Sequence, residues 1–360
     1  MKILLCAGTR PNFIKIAPLY HTATKLGIQA DILHTGQHYD SNLSDIFFKE
    51  LNIPSPTIQF NVESNTRDEY ISKVSKAVED FLSSTDYDYV ITVGDVNSTL
   101  ACTKGANLAD VKVAHVEAGL RSHDMRMPEE INRLDIDRIA DLHFVSEPDG
   151  VVNLKNESLY DENKCFLVGN VVIDNLFNNL SHIREVKQYE KLGLETKAYA
   201  LATLHRPSNV DDKDRLEGIL KTISDFSKQT TFVLPLHPRT KARISEFKLD
   251  KYLKDVKVIE PQGYFEFANL LMNSKFIVTD SGGAQEESMV LKVPCITIRA
   301  NTERPITILS GTSVLAGEDL LLLQYYIRLA LEDRLNKGGE YKLWDGKASE
   351  RVLTTLHHLQ

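Results

Sequence analysis

FIVTDSGGAQEES, residues 276–288, is an apolar run that breaks at Ser-Gly-Gly and resumes with residues suited to a helix. A run of this length reads as a buried strand, and a glycine turn from strand into helix is the joint of a parallel α/β unit. Backbone N–H groups point outward at such a helix start, and Gly282 and Gly283 would let an anion come close to them. Ser281 opens the turn. Glu286 or Glu287 would accept bonds from a sugar hydroxyl, although the helix dipole alone favours an acid there.

The same alternation extends in both directions. Toward the N-terminus, KILLCA, ADILHT, DYVITV, VKVAHV, LHFVS and CFLV are strand candidates; AYALATL, TFVLPL, VKVIE and PCITI complete the set. Helical patterns such as PLYHTATKL, EYISKVSKAVEDFL, STLACTKGANL, RLEGILKTISDFS and FANLLM lie between them. Strands alternating with helices predict parallel, doubly wound α/β sheets. Two sets meet near residues 168–180, giving one Rossmann-like domain over 1–169 and a second over 170–345, the one that carries the Ser-Gly-Gly turn. The two are expected to face each other across a cleft at the carboxyl ends of their strands.

With 360 residues, 42% hydrophobic and 26% charged, the chain can bury two cores. A formal net charge of −8 argues against a nucleic-acid binder but leaves room for local anion sites. Cys6, Cys102, Cys165 and Cys295 form no Cys-x-x-Cys pair, which fits buried thiols in a reducing compartment. No signal peptide or membrane span is read, so a cytoplasmic location is expected.

The strand exits carry the ionisable residues. After the first strand comes GTRPNFIK, with Arg10 and Lys15; it is neither a dinucleotide fingerprint nor a P-loop. Arg10 would grip an anion bidentately, or pair as a turn arginine with a surface carboxylate. Asp95 ends YVITVGD as a helix cap or a functional acid. Glu117 follows AHV, and MPEEINR places Glu129 four residues and Glu130 three residues ahead of Arg133, so one acid there is structural. His205 and Arg206, then His237 and Arg239, end two strands of the second half. Arg304 precedes Pro305 in NTERP, and with Arg10, Lys15 and the Ser281–Gly283 turn it outlines a diphosphate site.

GTRPNFIK, TGQHYD, the Gly94-Asp95 pair, HVEAGLR, MPEEINR, VGNVVID, LHRPSN, HPRT, TDSGGAQEE, NTERP and DGKASERV, in this order, resemble the non-hydrolysing UDP-N-acetylglucosamine 2-epimerases over nearly the whole chain. The resemblance implies a GT-B-like fold whose final helix, within residues 346–360, returns to the first domain. It implies inversion at C2 to UDP-N-acetylmannosamine by loss and re-addition of UDP through 2-acetamidoglucal, with no metal or redox cofactor, in a homodimer. Asp95, Glu117 and Glu129 match the catalytic carboxylates and His205 the catalytic-site histidine. Arg10, Lys15, Ser281, Gly282, Gly283, Glu287 and Arg304 match nucleotide-binding positions, with Glu287 on the ribose. Gln262 and Tyr264 of PQGYFEF fall near uracil, and His237 is placed with the substrate.

The chain departs from the bacterial pattern at Asn12, where an acid is usual, at Pro207, which removes an arginine, and at Ala300. Gln37 and His38 match a segment tied to allosteric activation by a second substrate molecule, but Asp40 replaces a glutamine there. Other readings are a hydrolysing epimerase, a 2-epimerase of a modified UDP-sugar, a glycosyltransferase of similar fold, and an inactive sugar-nucleotide sensor.

Overall fold

The computed structural model describes residues 1–36, 48 and 50–360, with the Arg10 side chain outside the described set. Gln37, His38 and Asp40 lie outside it as well. The chain divides into two compact units, Met1–Asn178 with Lys342–Gln360, and Asn179–Tyr341.

The first unit holds β1 (Lys2–Ala7), β2 (Gln29–His34), β3 (Ile58–Gln59), β4 (Tyr89–Val93), β5 (Val113–Ala118), β6 (Leu142–Val145) and β7 (Cys165–Leu167). They form a parallel sheet ordered β3-β2-β1-β4-β5-β6-β7. Alternate residues of one strand feed opposite cores: Ile3 and Leu5 join one, Leu4 and Cys6 the other. Burial on both faces explains why these strands read as unbroken apolar runs.

The second unit holds β8 (Tyr199–Thr203), β9 (Thr231–Pro235), β10 (Lys257–Ile259), β11 (Phe276–Thr279), β12 (Cys295–Thr297) and β13 (Ser313–Leu315). Its sheet is also parallel, ordered β10-β9-β8-β11-β12-β13. Strand order therefore reverses between β1 and β4 in one unit and between β8 and β11 in the other. Open α/β sheets bind ligands beyond the carboxyl ends of the strands at such a reversal. Those exits are Gly8–Arg10 and Gly94–Asp95 in the first unit, and Leu204–Arg206 and Asp280–Gly283 in the second.

Two features position the rest. Helix Arg10–Lys25 starts a full two turns before the PLYHTATKL pattern and runs through Pro18. Thr9 is its N-cap, and Asn12 Oδ1 accepts from the N–H groups of Gly8 and Thr9 at 3.2 and 3.1 Å. The final helix, Ala348–His358, packs Val352, Leu353 and Leu356 into the core that contains Phe13 and Ile16. Its first N–H groups, from Ala348 and Ser349, bond the buried Asp174 carboxylate at 3.0 and 2.6 Å. Asp174 sits on helix Val171–Asn178, which packs on helix Arg10–Lys25. For that reason the first unit extends to Asn178, beyond the 169/170 boundary read from the sequence.

Candidate active site

In the first unit the acids sit at strand exits held by a buried framework. His115 of β5 bonds Asp137 Oδ1 through Nδ1 at 2.7 Å and the Gly94 carbonyl through Nε2 at 2.9 Å. Asp137 Oδ2 accepts from the Gly119 N–H at 2.9 Å and pairs with Arg121 Nη1 at 2.8 Å. Burial would raise the Asp137 carboxyl, but His115 and Arg121 hold it at about 2. Three residues of HVEAGLR thus clasp one carboxylate that the sequence reading passed over. Arg121 also grips Glu157 at 2.7 and 2.6 Å, so its charge is spent on structure.

Glu117 is the exception in that segment. Pairing with β6 shifts between Val116 and Ala118, leaving Glu117 as the extra residue of a bulge with φ of +73°. A left-handed φ on a non-glycine residue costs about 1 kcal/mol or more, and bulges of this kind re-aim a side chain. The re-aimed carboxylate lies 2.5 Å from Lys15 Nζ. Gly94, at φ +70°, makes room for this pair, since a Cβ there would stand 2.7 Å from Lys15 Nζ and 3.4 Å from Glu117 Oε2. Lys15, read as a diphosphate ligand, is placed on the acid.

Asp95 follows Gly94 and pairs with Arg133. Arg133 also bonds Glu130 at 2.7 Å. Glu130 is buried and further accepts from the N–H groups of Ser122 and His123, each at 2.9 Å. Burial opposes ionisation of Glu130, yet these N–H groups and Arg133 hold its pKa below the usual value. Glu129, one residue earlier, is half-buried and has no hydrogen-bond or ion-pair partner among the described residues. It lies on the face of helix Pro128–Ile139 that carries Asn132 and Arg133, three and four residues on. Asn132 donates to the Asp95 carbonyl at 2.8 Å, which ties that face to the β4 exit. Asn12, which stands where the bacterial pattern has an acid, donates from Nδ2 to the Val93 carbonyl at 3.0 Å, a bond an ionised acid cannot make.

In the second unit β8 and β11 end side by side. His205 Nδ1 lies 2.8 Å from Asp280 Oδ1. The same carboxylate receives the N–H of His205 at 3.0 Å, that of Arg206 at 3.0 Å, and Asn209 Nδ2 at 3.2 Å. Burial would raise the Asp280 carboxyl, but the His205 ring and these N–H groups hold it below the usual range. The His237 ring stands 5.7 Å from that of His205, and its Nδ1 caps helix Pro238–Phe247 by accepting from the Arg239 N–H at 3.2 Å. Burial and the neighbouring His205 lower the His237 pKa.

Helix Gly282–Leu291 starts at the exit of β11, with Ser281 as its N-cap. A Cβ on Gly282 or Gly283 would meet nothing within 4 Å, and neither has a positive φ. The fold itself has no need of glycine at either position. Glycine costs about 0.5–1 kcal/mol relative to alanine in a helix, so the open space points to a ligand that approaches the backbone.

Of the two acids that follow, Glu286 pairs with Arg304 and both are buried. Arg304, read as a diphosphate ligand, is therefore turned onto its own chain. Glu287 has no cation partner among the described residues; burial raises its carboxyl to about 7, with the hydrogen-bonded Tyr264 hydroxyl offsetting part of the rise and Glu286 adding to it. Gln262 spends its amide on Gln188 and on the Glu260 carbonyl, both at 2.7 Å. Arg206 is half-buried beside the β11 exit: its Nε donates to the Asp280 carbonyl at 3.2 Å and its Nη2 lies 3.5 Å from Glu303.

No cluster of metal-ligating side chains occurs among the described residues, and no helix there is long and apolar enough to cross a membrane.

This arrangement has counterparts in known proteins. A family model for UDP-N-acetylglucosamine 2-epimerase matches residues 21–357. The UDP-N-acetylglucosamine 2-epimerase of Methanocaldococcus jannaschii is 41% identical over 368 residues, covering 99% of each chain. A crystal structure of that archaeon's UDP-GlcNAc 2-epimerase in complex with UDP-GlcNAc and UDP superposes with a TM-score of 0.90 at 39% identity, covering 99% of this chain and 100% of that one. The UDP-2,3-diacetamido-2,3-dideoxy-D-glucuronate 2-epimerase of Pseudomonas aeruginosa is 36% identical over 362 residues and the full length of both chains. The GT-B-like α/β fold expected from the sequence is the fold of this chain. Motif order, sheet topology and full-length similarity agree, and the chain belongs to the UDP-N-acetylglucosamine 2-epimerase family.

Proposed function

We propose that the protein inverts C2 of UDP-N-acetylglucosamine to give UDP-N-acetylmannosamine without releasing the free sugar. The observation that carries this reading is the electrostatic sorting of the acids. Asp95 and Glu117 each have a cation, whereas Glu129 has none among the described residues. The C2 proton is not acidic in the sugar ring, so direct deprotonation is too slow. When the C1–O bond breaks, its electron pair leaves with UDP; loss of the C2 proton to a carboxylate closes the C1=C2 double bond of 2-acetamidoglucal. Re-addition of the diphosphate at C1 and delivery of a proton to the opposite face of C2 gives the epimer. Proton exchange of this kind suits a carboxylate not locked to a cation, with charged neighbours to orient and stabilise the reacting centre.

The nucleotide end fits the second unit. The open Gly282–Gly283 helix start is suited to phosphate oxygens, and Glu287, with no cation, is suited to ribose hydroxyls. His205, held by Asp280, is available to exchange a proton with the departing group.

Incubation with UDP-N-acetylglucosamine in D₂O, followed by NMR, tests the reading. Deuterium at C2 together with UDP-N-acetylmannosamine is the expected result. Free N-acetylmannosamine would indicate hydrolysis instead. An inert substrate would favour the second reading, a 2-epimerase of a modified UDP-sugar. The full-length similarity to the diacetamido-glucuronate enzyme supports that alternative.

A further inference from the structure

Asp280 ends a strand in the sequence without a signal of its own, yet it is fully buried and holds the His205 ring, the N–H groups of His205 and Arg206, and Asn209. We propose that Asp280 is the positioning residue for His205. It fixes the proton on Nδ1 and leaves Nε2 as the outward nitrogen that exchanges protons.

The argument is geometric. An ionised carboxylate only accepts hydrogen bonds, so a 2.8 Å contact with Nδ1 places the ring proton there. The neutral ring then presents the Nε2 lone pair, and a proton taken up at Nε2 gives an imidazolium facing a carboxylate. The other Asp280 oxygen is held by the N–H groups of His205 and Arg206 and by Asn209, so the carboxylate cannot turn away from the ring.

Position adds a second role. β8 and β11 are neighbours in register, with Thr203 opposite Thr279, and Asp280 directly precedes Ser281 of the glycine turn. One side chain therefore sets both the orientation of His205 and its distance from the turn proposed to hold the diphosphate. The charged and titratable groups facing His205 are Asp280, the His237 ring at 5.7 Å, and Arg206, whose Nε bonds the Asp280 carbonyl. The kinetic consequence rests on the epimerase reading; the tautomer does not.

The full chain labelled with ¹⁵N-histidine gives the first test, with the His205 signal assigned by its loss in His205→Gln. An Nδ1–H tautomer in the neutral ring is expected, and an Nε2–H tautomer overturns the proposal. In Asp280→Asn the amide N–H₂ can face Nδ1, moving the ring proton to Nε2. The kcat should fall about 10²–10⁴-fold, the range for a misdirected acid–base group, while KM for UDP-N-acetylglucosamine stays within about threefold. The double variant with His205→Gln should be no slower than His205→Gln alone, and additive losses would overturn the assignment. If Asp280→Asn fails to fold, the wild-type tautomer decides. If the wild type fails to epimerise, the functional reading fails while the tautomer result stands.

Discussion

Replacing Gly283 with alanine should move stability and binding in opposite directions. The methyl group enters space empty to 4 Å, on a backbone with ordinary φ, inside a helix. Alanine narrows the unfolded ensemble, which stabilises the protein by about 0.4–1 kcal/mol at a site that accepts it without strain. For a cooperative unit of this size that corresponds to an upward shift in Tm of about 1–4 °C. The same methyl stands where a phosphate oxygen would meet the helix N–H groups. Loss of one charged hydrogen bond is worth about 1.5–3 kcal/mol, so UDP should bind roughly 10- to 100-fold more weakly. Thermal melts without ligand and calorimetric titration with UDP read the two effects separately. Gly105→Ala is the control, because its Cβ would lie 2.5 Å from the Ser75 carbonyl oxygen and 2.6 Å from Val78 Cβ, and it should lower Tm without touching UDP affinity. A ligand-free Gly283→Ala protein that melts lower, or one that binds UDP as tightly as wild type, refutes the reasoning.

Glu129→Gln should abolish most turnover while leaving the unfolding free energy from urea titration within about 0.5 kcal/mol of wild type, because the side chain has no partner to lose among the described residues. Glu130→Ala, next to it, should cost about 3 kcal/mol or more, since Arg133 and the Ser122 and His123 N–H groups lose their buried acceptor. Glu287 makes the fold pH-dependent: its carboxyl, raised from 4.5 to about 7, gives a contribution fully present below pH 4.5 and lost as pH rises through about 7. Glu287→Gln should therefore stabilise the ligand-free protein at pH 8 by roughly 3 kcal/mol, with little effect at pH 4.5, as read by urea titration at both pH values. UDP affinity, if the ionised form accepts the ribose hydroxyls, should weaken as pH falls below about 7 in the wild type but not in that variant; calorimetry across pH 5.5–8 checks it. Asp174→Ala should cost about 1–2 kcal/mol and expose the last helix to limited proteolysis, because two N–H groups at its start lose their cap.

The central strands were legible because both their faces are buried. KILLCA and DYVITV have no polar face to interrupt the run. β3 and β13 were not legible: Ile58–Gln59 is two residues with no apolar run, and Ser313–Leu315 lies between Gly311 and Gly317, where the sequence reads as a turn. Pro11, suited to a first helical turn, marks the start of the first helix, which Thr9 and Asn12 cap and which runs on through Pro18 into the PLYHTATKL pattern. Local motifs pointed to Asp95, His205 and the Gly282–Gly283 turn because each follows a strand, to Glu117 because it ends an apolar run, and to Glu129 because MPEEINR reads as a helix start. Partners were not legible, because they are chosen by topology. Lys15 meets Glu117 across 102 positions and Asp280 meets the His205 loop across 75. Nothing near Lys15 or Arg304 in the sequence signals that a carboxylate of the same unit already holds each one.

The two Glu-Glu pairs show what topology adds to motif. Glu129–Glu130 and Glu286–Glu287 each lie near a helix start, where the macrodipole welcomes an acid and sequence alone ranks neither member above its neighbour. Consecutive helical residues point about 100° apart, so only one of each pair can meet a given buried arginine. Glu130 takes Arg133 and Glu286 takes Arg304. Their neighbours are left without a cation among the described residues: Glu129 half-exposed at the helix start, Glu287 buried with its carboxyl raised to about 7. An acid tied to arginine is costly to protonate or to redirect, while an acid without a cation can exchange a proton or accept a new donor. The division of labour follows from helix geometry. In each pair one glutamate anchors the helix to the core, and the other is the one the proposed function assigns to the sugar or its ribose.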